Sequence, residues 1–493
     1  MGSGGDIPEI PARPDERERP RVGVDEWVAN VEDRREERAG IAGLAGRIDD
    51  LVPPWARLAA FGLVAASLPL WMERGDLFAY GIFTLIYVLL GLGLNVVVGY
   101  AGLLDLGYVA FFGFGAYFYA LLSSEQYGIH WPSAVSFPVV VVSTALLGLV
   151  LGIPSRRLLG DYLAIVTLFF GQAFVVFVNA ANPTVRGKGL TGGPNGIADI
   201  DPNDLFGYEL TTRRQQYWFI LGAVLLVLIG LHFLSESRTG RAWRALREDP
   251  LAAEAMSIPV NRLKLMAFAF GAAIAGLTGC MFAAVLTAVT SGNFALPILI
   301  TIYAAVILGG IGSLTGVVIG AIVINVSFQF LAPENPQDNA RILFYAVIVL
   351  LLLLGIRPLW RLAAVLGGTI AFGLMAHAIA EAISPSWTAG AVVEGGRFGD
   401  VVADWVIIPA DNERFANAAY IALVVAILAL TKIHGWWRTG LLVPTVYLAT
   451  IVWETSFVAQ PAVARWILFG ALLVFLMTKR PQGLLGTPRV EIV

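Results

Sequence analysis

The sequence predicts an all-α, polytopic transmembrane helical bundle, and three observations predict it. Of the 493 residues, 57% are hydrophobic and 14% charged, with a mean hydropathy of +0.74, whereas soluble domains are roughly half apolar and a quarter charged. The apolar residues come in repeated runs long enough to cross a ~30 Å hydrocarbon core as helices. Lys and Arg gather in the short loops at alternate ends of those runs, the asymmetry of a chain with a fixed orientation in a bilayer. A formal net charge of −3 provides no basic field for a nucleic-acid partner.

Residues 1–54 read as a polar N-terminal extension, expected to be cytoplasmic. The first 50 positions hold 13 acidic and 8 basic side chains, and the absence of an apolar core there is unlike a cleavable signal peptide. Val24, Trp27, Val28 and Val31 fall on one side of an amphipathic helix over 24–38, a surface or docking element. Candidate spans follow near 55–72, 78–98, 103–122, 132–153, 161–179, 216–235, 263–289, 295–309, 312–331 and 341–357. Four more lie near 362–383, 416–431, 439–458 and 463–478, about fourteen in all. Arg156 and Arg157 mark one loop as cytoplasmic, and Arg238, Arg241, Arg244, Arg247, Arg262 and Lys264 mark another. Alternation then places both termini in the cytoplasm and the stretches 180–215 and 384–415 outside.

Two internal echoes organise the chain. Ala340-Arg341 opens a helix that ends Arg357-Pro358, and Ala464-Arg465 opens one that ends Arg480-Pro481. The last helix therefore reads as duplicated, with extra spans and the outside loop 384–415 inserted over 358–462. That leaves a core at 55–357 and a final span with its tail at 463–493, a ten-span core plus extra spans. The second echo pairs the glycine-rich breaks Gly99-Tyr100-Ala101-Gly102 and Gly309-Gly310-Ile311-Gly312. Broken helices at corresponding positions point to a transport site, although glycine also permits close helix packing.

Several chemistries are missing. None of Lys188, Lys264, Lys432 and Lys479 is followed by Ser or Thr, which rules out a standard P-loop. The four histidines form no metal motif, and the lone Cys280 allows no internal disulfide. No metal site and no catalytic residue are expected. Carboxylates are scarce inside the spans: Asp105 stands near a span start, Asp161 and Glu381 near span ends. Ion-driven carriers use such groups, so the driving force is expected from another subunit. Asn95, Tyr100, Asp105, Tyr108, Thr167 and Gln172, with Gly309, Gly310 and Ser313, are the polar and break residues able to line a route. Each of the polar ones is more often an interhelical hydrogen-bonding or interface residue, and Asp105 also a helix-start residue.

The loop 236–262 is helical in pattern but too polar to span. Arg241, Arg244 and Arg247 share one side, where lipid phosphates or a partner could meet them. Asp249 is placed to N-cap a helix with Pro250 at its first position. Leu251, Ala252, Ala253, Glu254, Ala255, Met256 and Ser257 then form a short Ala-rich segment fit for a groove on another protein. Outside, Thr191, Gly192, Gly193, Pro194, Asn195 and Gly196 read as a Gly/Pro turn.

Six ordered stretches carry a family resemblance: Gly91–Tyr117 (GLGLNVVVGYAGLLDLGYVAFFGFGAY), Gly160–Leu168, Thr191–Ile197, Arg241–Ile258, Val306–Ser313 and Arg480–Gly486. The chain resembles LivM-type permeases of branched-chain amino acid ABC transporters over roughly 75–357 and 463–486. The resemblance implies a bacterial inner-membrane permease in which Leu251–Ser257 lies in the coupling helix. It implies a second related permease subunit, two ATPase subunits that use ATP and Mg, and an extracytoplasmic substrate-binding protein. This chain would itself bind no cofactor. Amide groups around Gly99–Gly102 or Gly309–Ser313 could then meet a solute carboxylate. Urea or short-amide importer permeases share the architecture, and a self-sufficient secondary transporter is the reading from another class. The tail and the insertion are outside what the resemblance explains.

Overall fold

In the computed structural model the described residues are 54–125, 128–155, 160–180, 184–185, 188–205, 207–330, 337–356, 359–390, 402, 404–409, 412–433, 435–457 and scattered positions between 463 and 485. The amphipathic helix expected at 24–38, Arg156, Arg157 and Arg357, loop positions 391–401 and most of the span at 463–478 lie outside them. The chain divides into two units, Met1–Leu63 and Val64–Val493. In the first, the described residues belong to helix α1 (Pro54–Trp71).

The second unit is a helical bundle: α2 (Arg74–Tyr100), α3 (Tyr108–Leu122), α4 (Ser133–Ser155), α5 (Asp161–Ala180), α6 (Arg213–Glu236), α7 (Arg238–Glu248), α8 (Pro250–Ala255), α9 (Val260–Leu286), α10 (Leu296–Gly309), α11 (Leu314–Phe330), α12 (Gln337–Gly355), α13 (Leu359–Ile383), α14 (Asn412–Lys432) and α15 (Trp436–Val452). Among the described residues nine helices are long and apolar enough to cross a membrane, and four shorter apolar helices accompany them. Strand is confined there to three two-residue antiparallel pairs, Ser123–Ser124 with Ile129–His130, Thr184–Val185 with Lys188–Gly189, and Asp204–Leu205 with Tyr208–Glu209. They staple loops too polar for the bundle. The run expected to span from 103 starts its helix only at Tyr108, because residues 101–107 follow an irregular path from α2.

Helix α9 is the hub, packed against α2, α3 and α4. Its small residues allow this. A Cβ added at Gly115 would lie 2.5 Å from the Gly276 Cα, and one at Gly148 2.7 Å from the Ala272 Cβ. Lipid tails are as apolar as leucine, so such helices associate through close contact rather than hydrophobic transfer. Beyond α12, helices α13–α15 form their own cluster around Val402, Val406, Ile408, Ala419, Tyr447, Ile451 and Val452. The fully buried Arg341 binds Glu454 at 3.0 Å, and Phe344 stacks on Trp453 with centroids 4.3 Å apart. Both contacts tie α12 to the end of α15. Trp466 then packs on Phe328 of α11, and the amides of Leu484 and Leu485 donate to the carbonyls of Leu308 and Gly309 at 2.9 and 3.0 Å.

Candidate translocation site and coupling surface

The two glycine-rich breaks, over 200 residues apart in sequence, meet in space. Helix α2 ends in a π-helical turn, Asn95–Tyr100, before the irregular 101–107. Helix α10 stops at Gly309; Gly310 and Gly312 adopt φ of 118° and 89°, and Ser313 restarts the chain by accepting from the Gly316 amide at 3.1 Å. The Gly312 amide donates to Asn95 Oδ1 at 2.8 Å. A Cβ at Gly99 would come 2.8 Å from the Gly312 nitrogen. Gly309 is likewise pressed on the Gly316 carbonyl, and Gly320 on that of Ala305, so α10 and α11 pair as a hairpin.

Asp105 organises the irregular stretch. Its Oδ1 accepts from the Gly107 amide at 2.9 Å, its carbonyl accepts from the Tyr303 hydroxyl at 2.6 Å, and the next amide, Leu106, donates to Thr167 Oγ1 at 2.9 Å. Asp105 Oδ2, Asn95 Nδ2 and the Tyr108 hydroxyl are buried without a hydrogen-bond partner. Unmet polar groups at such depth are costly, so a polar solute or water would gain from binding in this region. Tyr100 is buried beside Ser235 and Arg244. Gln172 departs from the group. It sits on the exposed face of α5 with Tyr162, Ile165, Phe169 and Val176, because both faces of α5 are apolar and its hydropathy pattern cannot tell inside from outside.

Sequence reasoning missed three further parts. Tyr303 holds Asp105, as described. Phe294, in the 3₁₀ turn Ser291–Phe294, is buried among the rings of Phe112, Tyr117, Phe174 and Phe282, with centroids 5.1–6.3 Å apart. These rings close the end of the bundle opposite the breaks with apolar surface. The third is the use made of the arginines. Arg241 Nη1 donates to the Glu236 carbonyl at 2.9 Å, Arg244 Nη2 to Ser235 at 3.2 Å, and Arg247 Nη1 to Gly99 at 2.7 Å. While Arg241 and Arg244 remain exposed, all three satisfy carbonyls at the ends of α6 and α2, which lack intrahelical donors. The signal was present: Arg residues followed a helix end within a dozen positions.

Helix α8 is built to be presented. Asp249 Oδ1 accepts from the amides of Leu251 and Ala252 at 2.8 and 3.1 Å, capping its start. At its far end the amides of Ser257 and Ile258 donate to Glu254 and Ala253 at 3.0 Å each, with Ser257 in the left-handed region at φ 62°, a Schellman closure. Ala253 faces inward, while Leu251 and Met256 are 77% and 78% exposed and Ala252, Glu254 and Ala255 are exposed between them. Two large apolar side chains held this far into solvent mark an interaction surface.

At the other end, the turn Thr191–Gly196 is locked. Thr191 Oγ1 donates to Val178 at 2.9 Å and accepts from Gly193 at 3.3 Å, while Gly192, Gly193 and Gly196 all have positive φ. Any side chain at Gly196 would strike the Val289 carbonyl, which pairs with Ile197. Nearby, His130 Nδ1 lies 2.7 Å from Asp201 Oδ2. That hydrogen bond, the Asp201 charge and that of Glu125 raise the imidazole above its ordinary value. No group of ligands able to hold a metal occurs among the described residues.

A bundle of apolar helices with paired breaks where its helices meet and one short helix that presents apolar side chains outward defines a multi-pass membrane protein of permease type. The chain belongs to the family described as branched-chain amino acid transport system permease component, which it matches over residues 77–352. It is 37% identical over 327 residues to the high-affinity branched-chain amino acid transport system permease protein LivM of Escherichia coli, covering 62% of this chain and 73% of that protein. It is 27% identical over 199 residues to the LivH permease protein of Salmonella typhimurium, covering 40% and 62%. To a probable LivH of Methanocaldococcus jannaschii it is 28% identical over 201 residues, covering 39% and 61%. No solved structure matches.

Proposed function

We propose that this chain is one of two related permease subunits of an ABC importer that carries branched-chain amino acids across the bacterial inner membrane by alternating access. The observation that carries the reading is α8: a doubly capped helix with its apolar side chains exposed, in a chain whose four lysines include no P-loop lysine. Such a helix fits the groove of a separate ATPase subunit, which would supply ATP and Mg, while this chain binds no cofactor. Gln172 on the exposed face of α5 favours a protein neighbour there, since a polar side chain is unfavourable against lipid; a second permease of the LivH kind fits that place. The unmet polar atoms at the breaks suit the polar head of an amino acid, and the aromatic rings around Phe294 at the opposite end offer an apolar surface on the route to them. An extracytoplasmic binding protein would deliver it at the turn Thr191–Gly196.

The test is affinity purification from the native membrane with wild-type chain and with Glu254→Arg, followed by leucine and urea uptake in proteoliposomes. Recovery of an ATPase and a second permease, loss of the ATPase in the variant, and ATP-dependent leucine uptake are expected. Uptake of urea alone would replace the solute. A folded chain recovered without an ATPase would sink the importer reading.

A further inference from the structure

Arg247 stands where the exposed arm of the protein touches both helix breaks. It lies in the last turn of α7, two residues before the Asp249 cap of α8. Its Nη1 donates to the Gly99 carbonyl at 2.7 Å. Its stem packs over Gly102, where an added Cβ would lie 2.9 Å from Arg247 Cγ. On the second break, a Cβ at Gly312 would come 2.6 Å from Nη1. Gly102 and Gly312 both have positive φ, 69° and 89°, so these two positions combine a backbone that favours glycine with the room that the guanidinium needs.

The arm that carries Arg247 is stiff. Trp243 is fully buried and its Nε1 donates to the Leu263 carbonyl at 2.9 Å, and Arg241 and Arg244 fasten α7 to the end of α6. Only Glu248 intervenes between Arg247 and the N-cap of α8, so little displacement of α8 can be absorbed before it reaches the guanidinium. The second break is also held by the Leu484 and Leu485 amides on Leu308 and Gly309, so Arg247 and the closing motif both bear on it.

We infer that Arg247 is the positioning residue that transmits movement of α8 to both broken helices, so that a force on the exposed helix shifts the Gly99–Gly102 and Gly310–Ser313 segments together. The inference rests on the importer reading for the source of the force. A planar guanidinium with several donors can follow two backbone segments at once, which a single ammonium or a water cannot do equally well. Coupling here is carried by a direct contact rather than by intermediacy alone.

The experiment uses the whole complex in proteoliposomes, with Leu104→Cys as reporter. Leu104 is 41% exposed in the irregular stretch, and the natural Cys280 is fully buried. Maleimide labelling of this chain is read by mass before and after trapping the ATPases with nucleotide and vanadate, and leucine uptake is measured per ATP hydrolysed. With Arg247 present, trapping changes the labelling rate. Arg247→Ala is expected to keep the ATPase bound and trappable, to lose that change, and to lower uptake per ATP about tenfold. Arg247→Lys is expected to fall between, and carries the test by the same ratio if the alanine variant is not recovered folded. An unchanged labelling response and ratio in Arg247→Ala overturns the inference. A wild-type complex that shows the labelling response but imports no leucine overturns the solute assignment instead.

Discussion

The ion pair Arg341–Glu454 provides a test of how the region beyond α12 is held. Both side chains are buried, at 0% and 1% exposure, with Arg341 Nε 3.0 and 3.3 Å from the two carboxylate oxygens. Arg341→Met removes the guanidinium while filling most of its volume, and leaves a carboxylate in a site with no access to water. Removing one member of a buried pair costs about 3–5 kcal/mol, whereas replacing both by apolar residues is neutral or stabilising by about 1–4 kcal/mol. Arg341→Met is therefore expected to lower the thermal midpoint in detergent by several degrees, and Arg341→Met with Glu454→Leu to restore it to the wild-type value or above. The assay is the monodisperse fraction surviving a heating series on size-exclusion chromatography. Phe344 stacked on Trp453 contributes only about 0.5–1.5 kcal/mol beyond its burial, so it cannot mask the single change. A single variant within one degree of wild type, or a double variant no better than the single, would refute the account.

Three further outcomes are expected. Gly309→Ala places a Cβ against the Gly316 carbonyl, which forces α10 and α11 apart at a cost of about 1–3 kcal/mol; Gly309→Leu should abolish transport, and normal uptake at normal expression would exclude the paired-break geometry. Asp249→Ala removes the side chain that accepts from Leu251 and Ala252, a loss of about 1 kcal/mol read as weaker ATPase retention in detergent, with Asp249→Ser expected to recover most of it. The third concerns pH: His130 is raised in the folded protein by Asp201 and Glu125, so its tie to Asp201 contributes fully below the ordinary histidine value and is lost as pH rises through the raised one. Hydrogen exchange of the Trp131 and Asp201 amides, corrected for intrinsic rate, should speed up across that window, and His130→Gln should remove the pH dependence.

Much of the bundle is legible in the sequence because length and hydropathy act locally. The cap at Asp249 with Pro250 and the glycine breaks were readable for the same reason, each being settled within a few residues. The meeting of the breaks was not: the Gly312 amide and Asn95 lie 217 positions apart, and no local pattern records that pairing. The arginines at 241, 244 and 247 were read by periodicity as a common face, but their acceptors are carbonyls left over at the ends of other helices. Gln172 stands on the exposed face of α5, a position the sequence does not indicate because α5 is apolar on both faces and a polar residue on it gives no direction. The strand pairs were invisible for a different reason, since two residues carry no period.

The position of the closing motif explains how so much chain can follow α12 without disturbing the core. The last carbonyls of α10 need donors, and the amides of Leu484 and Leu485 supply them at the same end of the bundle as Arg247. Any segment placed before this motif must bring the chain back to that end. The contacts Arg341–Glu454 and Phe344–Trp453 set the end of α15 beside the start of α12, so a chain that has passed through α12 to α15 stands again where α12 began, and these helices leave unchanged the point from which the closing motif is reached.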